Sequence, residues 1–137
     1  AQKKMAERRA DAGNRPSQPA FTKAEIEALK RQAKKVITPI VAQVAAEIGV
    51  TYGAVSVRAQ KTRWGSCSSK GNLNFNCLLI LLPEHIQRYV IVHELCHRKE
   101  MNHSQAFWRE VGKYQPTYQK DRAELREAGR VLLERME

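Results

Sequence analysis

Residues Pro83–His103 read PEHIQRYVIVHELCHRKEMNH, and this stretch decides the fold. Pro83 suits the first turn of a helix, and the apolar residues that follow it predict a helix to about Lys99. Those apolar residues lie on nearly every face of the predicted helix, which is typical of a helix buried at the centre of a protein. We therefore expect the rest of the chain to pack around this helix.

Within that helix, His93–His97 form the pattern HExxH. Side chains four residues apart lie one turn apart on the same face of a helix, so the two imidazoles can bind one metal ion. Glu94 lies beside the first histidine, where its carboxylate can reach a metal-bound water without binding the metal. Burying these three side chains for packing alone would be costly. The pattern therefore favours a metal-dependent hydrolase.

A catalytic metal site needs a third protein ligand. His103 lies six residues after the second histidine of the pattern, the interval found in HExxHxxGxxH, and Glu100 stands where that longer pattern has glycine. Asn102 tolerates the left-handed conformation with which the helix could end, so that His103 can turn back towards the metal. Glu100 and Glu110 are the alternative third ligands. The fourth histidine, His85, is expected to be exposed near the start of the helix.

Length and composition limit the size of the fold and the classes of partner that the protein can have. The chain has 137 residues, enough for one domain with one modest core. The formal net charge of +10 is typical of proteins with acidic partners. Three cysteines without CxxC spacing argue against a disulfide framework and against a four-cysteine zinc site. No apolar run approaches the roughly 18 residues of a membrane span, and the charged start lacks the apolar core of a signal peptide, so we expect a cytoplasmic protein without a membrane partner.

The N-terminal part divides into two segments. Residues 1–20 mix charges with alanine, proline and glycine, which predicts a basic flexible tail before a folded domain over residues 21–137. A first helix is expected from about Thr22 to Ile48, starting with a capping box. Pro39 should kink or break this helix, and Gly49 should end it.

Between and after the two main helices, alternation and spacing predict shorter elements. The turn residues Ser69–Asn72 separate two strands, which suggests a small antiparallel or mixed sheet. Strands are expected at Ala54–Arg58, Arg63–Ser68 and Leu73–Asn76, and helices at about Ser104–Tyr114 and Gln119–Glu134.

Several short motifs occur in order along the chain: Lys61–Ser68 (KTRWGSCS), Gly71–Leu73, Leu81–Pro83, Tyr89-Val90, His93–His97, and Asn102–Ser104 followed by Phe107-Trp108. Over about residues 22–120, this combination resembles the YgjP-like metallopeptidase family, which is related to SprT-like and other small zincins. Longer members carry an N-terminal β-rich segment that is short or missing here, so we expect a minimal or truncated form.

The resemblance implies an α+β fold of the small zincin-like type. A short antiparallel or mixed sheet would pack on the buried HExxH helix, with further helices flanking it. The resemblance also implies that His93, His97 and His103 bind one Zn²⁺ ion per chain and that Glu94 is the catalytic residue. The expected activity is hydrolysis of peptide bonds, in which Glu94 takes a proton from the zinc-activated water and returns it to the leaving amine.

Candidate substrate contacts lie outside the HExxH helix. Tyr114 and Tyr118 follow the ligand loop and are candidate hydrogen-bond donors to the oxyanion, although tyrosines in such positions more often pack. Arg63 could contact substrate or order a strand beside the cleft. An extended peptide could add to the sheet along Leu73–Asn76, where Asn74 is a candidate contact.

The segment around Arg63 also has a structural interpretation, which we favour over the functional one. Trp64 would fill the core, Gly65 would permit a β-bulge, and Cys67 would pack as a small apolar group. Cys96 occupies a variable position of HExxH and is expected to pack in the same way.

Two other classes of function remain open. A metal-dependent nucleotide phosphohydrolase could hold phosphates with Lys61 and Arg63, although the chain has no P-loop and only two aspartates for magnesium. A nucleic-acid-associated protein with a structural metal would contact phosphates through its basic surface, without sequence specificity. That surface would include the cations of the first helix: Lys23, Lys30, Arg31, Lys34 and Lys35.

Overall fold

The computed structural model describes residues 18–136, so most of the predicted tail lies outside the described residues. The expected α+β class is confirmed by four α-helices and a three-stranded sheet. Among the described residues, no helix is both long enough and apolar enough to cross a membrane. The elements are α1 (Lys23–Ile48), β1 (Val55–Arg58), β2 (Gly65–Cys67), β3 (Leu73–Asn76), a 3-10 helix (Cys77–Leu81), α2 (Glu84–Cys96), α3 (Gln105–Tyr114) and α4 (Tyr118–Leu133).

Helix α1 begins and ends where the sequence predicts. Thr22 forms the expected capping box, and Gly49 ends the helix in the left-handed conformation at φ 81°. A kink or a break is expected at Pro39. The expected break is absent, because the helix continues through this residue. Pro39 lies on the exposed face, where water can satisfy the carbonyl group that loses its donor, while Ile37 and Val41 are fully buried on either side.

The sheet is mixed, with β3 in the centre. Strand β1 pairs with β3 in parallel, with Val55 opposite Leu73, and β2 pairs with β3 antiparallel, with Gly65 opposite Phe75. The expectation that Leu73–Asn76 offers an open edge to a peptide is therefore wrong. Both sides of β3 are occupied by neighbouring strands, and within residues 18–136 the unpaired edges of the sheet belong to β1 and β2.

Helix α2 is the central element, as its composition predicts. It packs against α1, β2, α3 and α4. Pro83 is the N-cap and not the first helical residue, and the helix ends at Cys96 and not near Lys99. Apolar side chains on several faces are buried: Ile86, Val90, Ile91, Val92 and Leu95. This packing fixes the last turn of α2 beside strand β2.

Candidate metal centre and active-site cleft

Three histidines converge at the C-terminal end of α2. His93 and His97 lie on its last turn, and His103 reaches them from the connector to α3. The ligand atoms of the three side chains all lie within 4.8 Å of one another, and the Nε2 atoms of His93 and His103 are 3.2 Å apart. Neither Glu100 nor Glu110 belongs to this cluster, so the geometry supports His103 over the two alternative third ligands.

The connector brings His103 back because both of its ends are fixed by hydrogen bonds. His97 is the C-cap of α2, and its ring Nδ1 donates a hydrogen bond to the carbonyl oxygen of Glu100 at 3.0 Å. Since a carbonyl oxygen only accepts, the proton of His97 is on Nδ1 and the lone pair is on Nε2. At the other end, the hydroxyl of Ser104 caps α3 by accepting from the backbone N–H of Phe107.

Aromatic rings enclose the histidines on the side of α3. The ring of His97 stacks on Phe107, with centroids 4.4 Å apart, and His93 meets the same ring edge to face at 5.0 Å. His103 stacks on Trp108, with centroids 6.0 Å apart. The three imidazoles are thereby held in fixed orientations around one point.

The three histidines could hold a metal ion such as zinc. Zinc binds imidazole nitrogen at about 2.0–2.1 Å in tetrahedral geometry, which places two ligand nitrogens about 3.3 Å apart, close to the 3.2 Å between His93 and His103. Burial, followed by repulsion from His97 and His103, lowers the pKa of His93 to about 3. Burial also lowers the pKa of His97. Both rings therefore favour the neutral form, which is the form that binds a metal.

Glu94 lies against the face of strand β2 at Gly65. It is 7 % exposed, and burial raises the pKa of its carboxyl to about 8 against the opposing effect of Arg63. Gly65 of β2 leaves space for this side chain, because a Cβ atom there would lie 3.2 Å from Oε2 of Glu94. The role of Gly65 is thus a close approach to Glu94, in addition to any freedom it gives the strand.

A cleft of about 450 Å³ joins these features. Strand β2 forms one wall, α2 forms the floor, and the connector to α3 closes one end. Tyr89 was not singled out as a site residue by its sequence, yet it lines the cleft, and its hydroxyl lies 3.4 Å from Nδ1 of His93. The signal was present, because Tyr89 precedes His93 by four residues and so shares its helix face. The lining residues include Arg63, Gly65, Ser66, Cys67, Tyr89, His93, Glu94, His97, Met101 and His103.

Comparison with known proteins identifies the family. A family model described as YgjP-like, metallopeptidase domain, matches residues 2–128. The chain belongs to the YgjP-like metallopeptidase family. Membership implies a peptidase that uses a metal ion, and the histidine cluster can hold one. A search of curated proteins found no significant match.

Solved structures that resemble this YgjP-like chain include two metallopeptidase zymogens. The abylysin metallopeptidase zymogen of Pyrococcus abyssi has a TM-score of 0.53 and 28% sequence identity, over 57% of this chain and 78% of its own. The jannalysin metallopeptidase zymogen of Methanocaldococcus jannaschii has a TM-score of 0.59 and 21% identity, over 67% of this chain and 95% of its own. The second likeness concerns the fold alone. The expected zincin-like architecture is confirmed.

The other candidate contacts of the YgjP-like chain lie in different places. Arg63 lines the cleft, as expected. Tyr114 and Tyr118 do not line it: the carbonyl of Tyr114 accepts a hydrogen bond from Arg88, and Tyr118 stacks on Trp108 at 5.4 Å. Tyr118 nevertheless lies one ring from the histidine cluster, because Trp108 also stacks on His103.

Three further predicted residues have clear positions. Asn74 does not line the cleft but lines a cavity of about 130 Å³ beside β2 that shares Arg63, Gly65 and Ser66 with it. The Oδ1 atom of Asn74 has no hydrogen-bond partner among the described residues. Glu110 forms ion pairs with Lys99 and Lys113. His85 is exposed, as expected, and contacts Glu124 at 2.9 Å.

Proposed function

We propose that this protein is a zinc-dependent peptidase in which His93, His97 and His103 hold the metal and Glu94 is the general base. The observation that carries the proposal is the convergence of three imidazoles within 4.8 Å beside a buried carboxyl group, in a cleft open to a peptide. When bound, zinc supplies a Lewis acid that lowers the pKa of water to about 7 and polarises a carbonyl group.

Glu94 moves the proton in this proposal. Its carboxylate accepts a proton from the attacking water and returns it to the nitrogen of the leaving amine. A carboxyl group whose pKa is raised towards neutrality can serve in both directions, and burial gives Glu94 that property. The hydroxyl of Tyr89, 3.4 Å from Nδ1 of His93, would orient that ring and takes the place of Tyr114 and Tyr118 as the tyrosine of the cleft.

The open edge of β2 would bind the substrate backbone. The carbonyl of Trp64 accepts a hydrogen bond from Asn76, so Trp64 and Ser66 face β3 in the alternating antiparallel pattern. Gly65 and Cys67 therefore direct their N–H and C=O groups to the open edge. An extended peptide added there pairs through its backbone, directly above Glu94.

The test compares zinc-loaded wild type with Glu94→Gln on a fluorogenic peptide library. We expect cleavage by wild type, loss with a chelator, recovery with zinc, and a reduction of at least about a hundredfold in Glu94→Gln. Elemental analysis should find the same zinc content in both proteins. No cleavage by the zinc-loaded wild type, or equal cleavage by the variant, would contradict the proposal.

Two further measurements on the same proteins would identify the alternative functions. Release of phosphate from a nucleotide, lost in Glu94→Gln, would assign a phosphohydrolase. DNA affinity that is unchanged by the chelator, without hydrolysis of any peptide, would assign a nucleic-acid-associated protein with a structural metal.

A further inference from the structure

A second groove, of about 600 Å³, adjoins the catalytic cleft. We call it the arginine groove, and its defining residues are Lys61, Trp64, Arg122, Leu125, Arg126 and Arg130. Trp64, Tyr89 and Leu125 line both the cleft and the groove, so the two share a wall. A substrate bound in the cleft would therefore have the groove beside it.

The arginine groove is strongly basic. Arg122, Arg126 and Arg130 follow one another at intervals of four along α4, and all three are exposed. Arg130 is paired with carboxylates of its own helix, Glu134 at 3.3 Å and Glu127 at 3.7 Å. Within residues 18–136, neither of the other two arginines forms an ion pair.

Arg122 and Arg126 are thus available to an incoming anion. The guanidinium of Arg122 lies 4.8 Å from the centre of the Trp108 ring. Stacking fixes the plane of a guanidinium while leaving the N–H groups at its edge free to bind a carboxylate. The groove therefore presents an oriented guanidinium close to the proposed catalytic centre.

The spacing of the arginines matches an extended peptide. Residues four apart on an α-helix are about 6 Å apart along its axis. Side chains on the same face of an extended chain recur every second residue, at about 6.6–6.8 Å. Acidic side chains at alternate positions could therefore meet successive arginines of α4.

We propose that the arginine groove binds acidic side chains at alternate positions of the substrate, beside the bond that is cleaved. This inference rests on the proposed peptidase function and adds a substrate class to it. A peptide is favoured over a nucleic acid because the groove shares Trp64, Tyr89 and Leu125 with the catalytic cleft, so its nearest occupant is the chain being cleaved. The apolar walls at Trp64 and Leu125 suit the aliphatic part of a glutamate side chain.

The test measures binding and cleavage separately. Binding uses Glu94→Gln and fluorescent peptides with acetylated and amidated ends, so that only side-chain carboxylates are present. One peptide carries glutamate at alternate positions, the second glutamine at the same positions, and the third the same number of glutamates in one block. We expect the alternating glutamate peptide to bind about fivefold more tightly than the glutamine peptide, with a smaller difference at high salt.

Two double variants with the same change in charge locate the effect. Arg122→Gln/Arg126→Gln should abolish the preference for glutamate. Arg31→Gln/Lys35→Gln removes two exposed cations from α1 and should retain it. Circular dichroism of both proteins checks that the helices are intact.

Several outcomes would overturn the inference. These are equal binding of the glutamate and glutamine peptides, equal losses in the two double variants, and block glutamates that bind as tightly as alternating ones. A single-stranded oligonucleotide that binds through Arg122 and Arg126, with no preference among peptides, would assign the groove to nucleic acid.

Cleavage by the zinc-loaded wild type separates this inference from the proposed function. Equal cleavage of the glutamate and glutamine peptides would reject the role of the groove and leave the peptidase. A binding preference without cleavage of either peptide would support the groove and reject the peptidase.

Discussion

Gly65 and Glu94 are in such close contact that a Cβ atom at position 65 would lie 3.0 Å from Cγ of Glu94. A Cβ atom there would also lie 3.2 Å from a methyl carbon of Val90, so the new group cannot move aside freely. We predict that Gly65→Ala displaces Glu94 and lowers the catalytic rate by about tenfold to a hundredfold. Steady-state kinetics should show this loss with an unchanged zinc content.

Gly112→Ala is the matched control for that substitution. A Cβ atom at Gly112 would meet Tyr118 at 3.5 Å, an ordinary contact, and the residue lies within helix α3. It should leave the rate unchanged and stabilise the fold by about 0.5–1 kcal/mol. Equal activity of Gly65→Ala and wild type would show that Glu94 tolerates the extra group.

The second prediction concerns metal content. Wild type should bind about one zinc ion per chain, and His103→Ala should lose most of it, because two remaining imidazoles form a weak site. His85→Ala is the control, since His85 is exposed and contacts Glu124. Elemental analysis after dialysis measures all three proteins. Full zinc retention in His103→Ala would return Glu100 and Glu110 to consideration as the third ligand.

The third prediction concerns pH and the metal-free protein. Burial raises the pKa of Glu94 to about 8, whereas an unfolded glutamate titrates near 4.3. Between these values the unfolded chain carries the charge more readily, so the fold loses stability as pH rises, by at most about 1.4 kcal/mol per pH unit. Glu94→Gln removes this loss.

The measurement is urea unfolding of both proteins in chelator at pH 5 and pH 8. The free energy of unfolding of Glu94→Gln, relative to wild type, should be higher at pH 8 than at pH 5 by a few kcal/mol. A difference that is independent of pH would mean that Glu94 keeps an ordinary pKa in the metal-free fold.

The fourth prediction concerns Asn76, which is fully buried and fixes the segment before β2. Its Nδ2 donates to the carbonyls of Gln60 and Arg63 at 3.0 and 2.8 Å, and its Oδ1 accepts from the N–H of Leu78. Asn76→Ala leaves these groups without their partner and should destabilise the fold by about 2–3 kcal/mol. Asn76→Asp should be at least as damaging, because its carboxylate would face two carbonyl oxygens.

Thermal unfolding measures these variants, with Gln32→Ala as the control at an exposed position of α1. A fall in the melting temperature of less than 1 °C in Asn76→Ala would mean that water replaces the amide without loss of stability. The expected destabilisation would lower it much further, because a small domain loses roughly 4 °C per kcal/mol.

Local signals in the sequence predicted both ends of α1 and the start of α3. Thr22, Gly49 and Ser104 cap or end helices where their side chains or backbone preferences suggested. The HExxH spacing likewise predicted that His93 and His97 share one face, because that follows from helix geometry alone. Pro39 does not break its helix, because packing on the opposite face outweighs the loss of one hydrogen bond.

Long-range pairing was harder to predict. Leu73–Asn76 has the alternation of a half-buried strand. Nothing within these residues shows that β1 pairs with one side of this strand while β2 pairs with the other. The same limit applies to Tyr114 and Tyr118, which do not line the cleft. Their place depends on how α3 and α4 pack, and sequence proximity to the proposed metal ligands does not determine that packing.

The position of the connector between His97 and His103 has a consequence for the lifetime of the protein. Proposed metal ligands lie at both ends of the connector from His97 to His103, so a bound ion would close it as a short cross-linked loop. An ion that binds only the folded chain stabilises it by mass action. A molecule that loses the ion would therefore lose its activity. At the same time, its connector would become exposed to other proteases. Metal supply would then set how many molecules persist, as well as how many are active.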